Sequence, residues 1–192
     1  MNSGDFMKQT FMHSLKLFLY LLFVSLATFM ITISFRVIFS ESNWAFYVFS
    51  QLFSFLIMFM IIWQTVYIVG FRDSNMVRTG HMSEDIYKGF KVGAIAQSPW
   101  LLLFAVSLIC DMRFSFYRII NSTYWTFLTA FCGAFDSKKA VDLRMLDTGV
   151  LGIGGSALLL LIIPAISGTV YILGYKGVDL FSKFVYKKRK EK

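Results

Sequence analysis

Hydrophobic residues occur in this chain as four long blocks, at 17–35, 44–69, 92–109 and 150–173. Each reaches the roughly 18 residues that a helix needs to cross a hydrocarbon layer, and none contains Asp, Glu, Lys, Arg or His. Helices of a water-soluble bundle keep a polar face, so blocks of this kind predict an all-α integral membrane protein with four transmembrane helices. Between them the pattern predicts a cytoplasmic lead-in at 1–16 lying at the interface, a cytoplasmic loop at 70–91, an outer loop at 110–149 and a basic cytoplasmic tail at 174–192. Ser83 followed by Glu84 and Asp85 reads as the start of a short helix in the first loop, with Glu84 and Lys88 an i,i+4 pair.

The outer loop carries a second apolar segment, 114–135, which holds Arg118, Asn121, Ser122 and Thr123. As a fifth span it would place the basic tail on the outer side, so it predicts an additional outer interfacial or re-entrant helix, with Tyr117, Tyr124 and Trp125 at headgroup depth. Asn121-Ser122-Thr123 also matches a glycosylation acceptor, a short and common pattern.

Two blocks close on nearly the same octapeptide. Thr65-Val66-Tyr67-Ile68-Val69-Gly70-Phe71-Arg72 ends the second, and Thr169-Val170-Tyr171-Ile172-Leu173-Gly174-Tyr175-Lys176 ends the fourth. The echo is compatible with a two-plus-two parallel repeat, each half finishing on the same side of a bilayer. It assigns Tyr67 and Tyr171 to the interface, Gly70 and Gly174 to helix C-caps, and Arg72 and Lys176 to the inner headgroups and helix dipoles.

Inside the blocks, Gly152, Gly155, Ser156, Pro164 and Gly168 give the fourth helix the small-residue chemistry that lets another backbone approach. Pro99 and Pro164 predict bends, and Asp147-Thr148 predicts an N-cap. Gln51, Gln64 and Gln97 are amides in apolar surroundings, which predicts interhelical hydrogen bonds or, on a transporter reading, a pathway.

Composition agrees with the pattern: 57% of the 192 residues are hydrophobic and 16% charged. The net charge of +8 reflects topology rather than nucleic-acid binding. With both termini and 70–91 on one side, only Arg36, Arg113, Arg118, Lys138, Lys139 and Arg144 of the 19 basic residues fall on the other. That bias places both termini in the cytoplasm, and the plasma membrane is the expected location. The cluster Lys187-Lys188-Arg189-Lys190 adds attraction to anionic lipid. Cys110 and Cys132 stand outside any CxxC or metal spacing and read as packing thiols rather than a disulfide.

No pattern for a catalytic centre, metal site or cofactor is present. Ser156 follows Gly154-Gly155, but the two histidines, His13 and His81, fall in segments on the opposite side. The expectation is therefore a non-enzymatic, multi-spanning protein acting by helix packing as a subunit or accessory of a membrane assembly. Its partners would be membrane lipids and other membrane subunits or further copies of itself. A small transporter or permease unit for an uncharged or apolar substrate is the alternative, since ionisable groups are absent from the blocks. A lipid-modifying enzyme using Asp136, Asp142 and Asp147 has the least support. Arg72, Arg78 and His81 beside Asn75 form a candidate phosphate or acidic-partner surface, with a solvated loop the simpler reading.

Overall fold

A computed structural model describes residues 3–39, 44–132 and 142–178. Among these the protein is all helical, apart from an isolated antiparallel bridge between Arg113 and Arg144. Four helices are long and apolar enough to cross a membrane.

Helix α1 runs unbroken over Ser3–Ile38. The lead-in expected to lie apart from the first block up to Lys16 is instead continuous with it. No glycine or proline follows Gly4 within it, and one side from Thr10 and Ser14 through Leu17, Leu21, Val24, Thr28 and Thr32 is continuously buried. Helix α2 covers Trp44–Ile62, passes through a π-helical turn at Trp63–Tyr67, and continues as α3 over Ile68–Arg78. The second span therefore extends well past its apolar block. Its buried positions Phe46, Ser50, Ser54, Met58, Ile62, Val66 and Gly70 recur every fourth residue. That spacing drifts round a helix of 3.6 residues per turn, and the wider π turn takes up part of the drift.

Helix α4 spans Lys88–Ile109. The expected helix start at Ser83 is not formed. Asp85 instead accepts the Tyr87 amide and pairs with Lys91 at 2.8 Å, and Lys88 turns inward rather than toward Glu84. Pro99 sits mid-helix. The Ile95 carbonyl, which its missing N–H would have bonded, accepts the Ser98 hydroxyl at 2.8 Å instead.

The last span is two helices, α7 over Gly149–Leu159 and α8 over Ile162–Tyr175. The break at Leu160 and Leu161 coincides with the carbonyl four residues before Pro164, where the ring clashes, and both amides form tightened i to i−3 bonds. Thr148 does not cap α7 through its side chain, because its hydroxyl donates back to the Met145 carbonyl.

Helices α5 (Phe114–Ile120) and α6 (Trp125–Phe131), joined by a 3₁₀ turn at Ser122–Tyr124, form a V that folds inward. Phe114 begins it beside Leu143, its tip reaches the middle of α1 and α2, and Cys132 ends it beneath Gly152. Tyr117, Tyr124 and Trp125 are consequently core residues, 1%, 4% and 8% exposed, rather than headgroup anchors. Asn121 is buried with its amide on the Tyr117 carbonyl, which removes it from glycosylation. Both cysteines are free thiols, Cys110 exposed and Cys132 half-buried. Asp136, Lys138, Lys139 and the cluster 187–190 lie outside the described residues. His13, Arg72, Lys88 and Tyr175 lie at one end of the bundle, the proximal end.

Candidate functional site

The proximal half is held by backbone contact. Helices α3 and α8 cross at their two octapeptides, and the contact is reciprocal. A methyl on Gly70 would collide with the Tyr171 carbonyl oxygen and come within 3.0 Å of the Tyr175 nitrogen, while a methyl on Gly174 would collide with the Tyr67 carbonyl oxygen. Each glycine thus seats on the tyrosine of the other copy. Neither is a C-cap: Gly70 lies within α3, and the left-handed residue after α8 is Gly177, at φ 64°. Helix α4 joins the cluster through Gly89, against Tyr171 and the Ser167 carbonyl, and Gly93, against Pro164 and Ser167. This Gly89-x₃-Gly93 pair escaped the sequence reading, although its four-residue spacing was the available signal.

An ion pair is sealed inside this cluster. Lys88 Nζ donates to Asp73 Oδ2 at 2.6 Å, Tyr171 Oη donates to the same oxygen at 3.1 Å, and both charged side chains are fully buried. Asp73 Oδ1 makes no hydrogen bond, with Arg72 Nη2 3.6 Å away. One carboxylate therefore ties α3, α4 and α8 together, and removing any partner would leave charge buried. Asp73 was not singled out from the sequence and Lys88 was paired with Glu84, because both fall in a stretch whose charges read as a solvated loop.

Beside the pair lies a half-open cavity of about 520 Å³ between α1, the π turn, α3, α4 and α8. Its polar lining comes from His13, Lys16, Tyr20, Gln64, Arg72 and Tyr171, and its apolar wall includes Leu17, Ile61, Ile68, Val69 and Val92. Arg72 Nη2 donates to His13 Nε2 at 2.9 Å, which fixes that nitrogen as the acceptor of a neutral imidazole. Of the proposed phosphate set, only Arg72 lines the cavity; Arg78, exposed, ends α3, and His81, exposed, lies in the connection beyond.

The distal half is held by side chains. Ser122 bonds Ser25 and, at 3.0 Å, Thr28, while Thr32 bonds Ser50 at 3.0 Å. Gln51 clamps the tip of the V from α2, donating to the Thr123 carbonyl at 2.8 Å and accepting the Thr126 amide at 3.2 Å. The three glutamines are not on one path: Gln64 lines the proximal cavity, and Gln97 borders a separate void of about 20 Å³ with Ser25, Asn121 and Thr123. Gly152 and Gly155 of α7 pack against Cys132 and Phe131, and Gly168 of α8 against Phe90. Ser156 is buried, and its hydroxyl meets no partner among the described residues.

Arg118 occupies the crook of the V. It stacks 4.2 Å over Trp125, donates to Thr129 at 3.2 Å and is 7% exposed. Asp111 pairs with Arg144 at 3.4 Å at the distal rim. Among the described residues no three His, Cys, Asp or Glu side chains converge as a metal set would. No protein family, curated protein or solved structure matches the chain.

Proposed function

We propose that the protein is a non-enzymatic integral membrane protein of four spans, a subunit or accessory of a membrane assembly that works through helix packing. The proximal end faces the cytoplasm, as the basic bias around it favours. The observation that carries the reading is the reciprocal seating of Gly70 on Tyr171 and Gly174 on Tyr67. It supports a two-plus-two parallel repeat in which α1 with α2–α3 and α4 with α7–α8 are corresponding hairpins. It also makes the proximal half a stiff block on which other surfaces are presented. One such surface is α7, where Val150 and Leu151 are 89% and 79% exposed and nothing lies within 4 Å of a Cβ built on Gly154. That notch admits the backbone of a neighbouring membrane helix.

Purification in mild detergent after crosslinking in intact membranes tests the reading. A crosslinked homo-oligomer or a reproducible membrane partner is expected; a monodisperse monomer with no crosslinked species contradicts it. A cysteine at exposed Lys176 that is labelled from outside intact cells would reverse the orientation. The proximal cavity favours a second reading, a small uncoupled carrier. Reconstituted vesicles without flux of any uncharged solute tried would count against that.

A further inference from the structure

The proximal cavity has a chemistry that neither the ion pair nor the helix crossing uses. We propose that it binds the phosphate group of an anionic amphiphile, seating the headgroup between α1 and α3 and the acyl portion along its apolar wall. The inference rests on the membrane placement above and is independent of any assembly role.

Size is the first support: about 520 Å³ lies within the range of small-molecule sites. Charge is the second. Lys16 and Arg72 enter from different helices, and Asp73, next to the cavity, has Lys88 at 2.6 Å and Arg72 at 3.6 Å, so the single carboxylate faces more than one cation. The cavity wall is therefore net positive. His13 accepts from Arg72 Nη2, which also lies 3.6 Å from Asp73 Oδ1, and Nε and Nη1 make no hydrogen bond to protein among the described residues. A steadied guanidinium with open donors is the geometry that takes two phosphate oxygens at once. Gln64, exposed on the facing wall, adds an amide.

Position is the third support. Lys16 immediately precedes the first apolar block and Arg72 follows the second, so both sit at the level where headgroups meet hydrocarbon. The apolar residues Leu17, Ile61 and Val69 in the same cavity would be poorly matched to a fully hydrated anion and suit the glycerol and upper acyl carbons of a lipid. Backbone geometry is the fourth. Gln64, Thr65 and Val66, three consecutive lining residues, all lie in the π turn Trp63–Tyr67, and such turns concentrate at functional sites.

The test uses the full-length protein in a nonionic detergent, mixed with dioleoylphosphatidylglycerol, dioleoylphosphatidylcholine or inorganic phosphate and read by native mass spectrometry. Wild type is expected to retain one phosphatidylglycerol about thirtyfold more tightly than phosphatidylcholine, as two basic residues near a headgroup would give. Lys16→Gln with Arg72→Gln removes the preference. Arg78→Gln, outside the cavity, and Arg72→Lys, which keeps the charge, both retain a preference and control for folding. Displacement of the lipid by inorganic phosphate supports the phosphate as the recognised group. Equal retention of both lipids, or a double variant that binds as wild type does, overturns the proposal. Phosphate binding that the double variant abolishes, with no lipid retained, assigns the site to a free anion and overturns the amphiphile. A chain that stays monodisperse without detergent would instead defeat the membrane placement, and is seen separately.

Discussion

The two octapeptides begin alike and end differently, and the ninth residue decides the difference. In both copies the glycine seats on the other copy's tyrosine, so the shared residues make one crossing. After Arg72 comes Asp73, which is buried on Lys88 and Tyr171 while α3 continues to Arg78. After Lys176 comes Gly177, which takes a left-handed conformation and stops α8. The tyrosines diverge accordingly. Tyr171 is fully buried and donates to Asp73, whereas Tyr67 is half-buried and stacks on Trp63 at 5.0 Å. A repeated motif can thus be retained for a backbone contact while its flanks take up unrelated tasks.

Breaking the first copy's ninth position should have the largest effect. Asp73→Ala leaves Lys88 charged and buried, and is expected to cost about 3–5 kcal/mol in detergent-solubilised protein, seen as a lowered thermal midpoint. Combining Asp73→Leu with Lys88→Met should restore most of that loss, since an apolar pair needs no desolvation. Tyr171→Phe removes one hydrogen bond to the carboxylate and is expected to cost about 2 kcal/mol by the same measurement. Gly177→Ala, which forces a Cβ into the left-handed region, should cost about 1 kcal/mol and fray the end of α8 in hydrogen exchange.

Much of the architecture was legible because four charge-free blocks leave few alternatives, and the glycines of the last block announced close packing. The missed features have distinct physical causes. Where both faces of a helix are apolar, hydrophobicity does not mark the buried one; in α1 it is marked by Thr10, Ser14, Thr28 and Thr32 at helical spacing. The same cause hid the continuity of α1 through residues 10–16. Tyr117, Tyr124 and Trp125 were assigned to the interface by the usual habit of aromatic residues, but the polar tip Ser122–Thr123 has partners on α1 and α2 that draw the segment inward. Asp73 and Lys88 lie 15 residues apart in a charged stretch, and only the crossing of α3 with α8 beside the start of α4 shows them to be a buried pair. Cavity residues from α1 and α3 are likewise far apart in sequence, and nothing local connects His13 with Arg72.

The reciprocal glycine crossing is tested most directly by measuring thermal stability in detergent for Gly70→Ala, Gly174→Ala and the double variant, with Gly154→Ala as control. An open helical glycine gains about 1 kcal/mol on becoming alanine, which is the expectation at Gly154. At Gly70 and Gly174 the sign reverses: each alanine should cost about 1–3 kcal/mol, and the double variant should lose less than the sum because the first methyl already parts the helices. Stability unchanged or raised by alanine at either glycine would contradict the crossing.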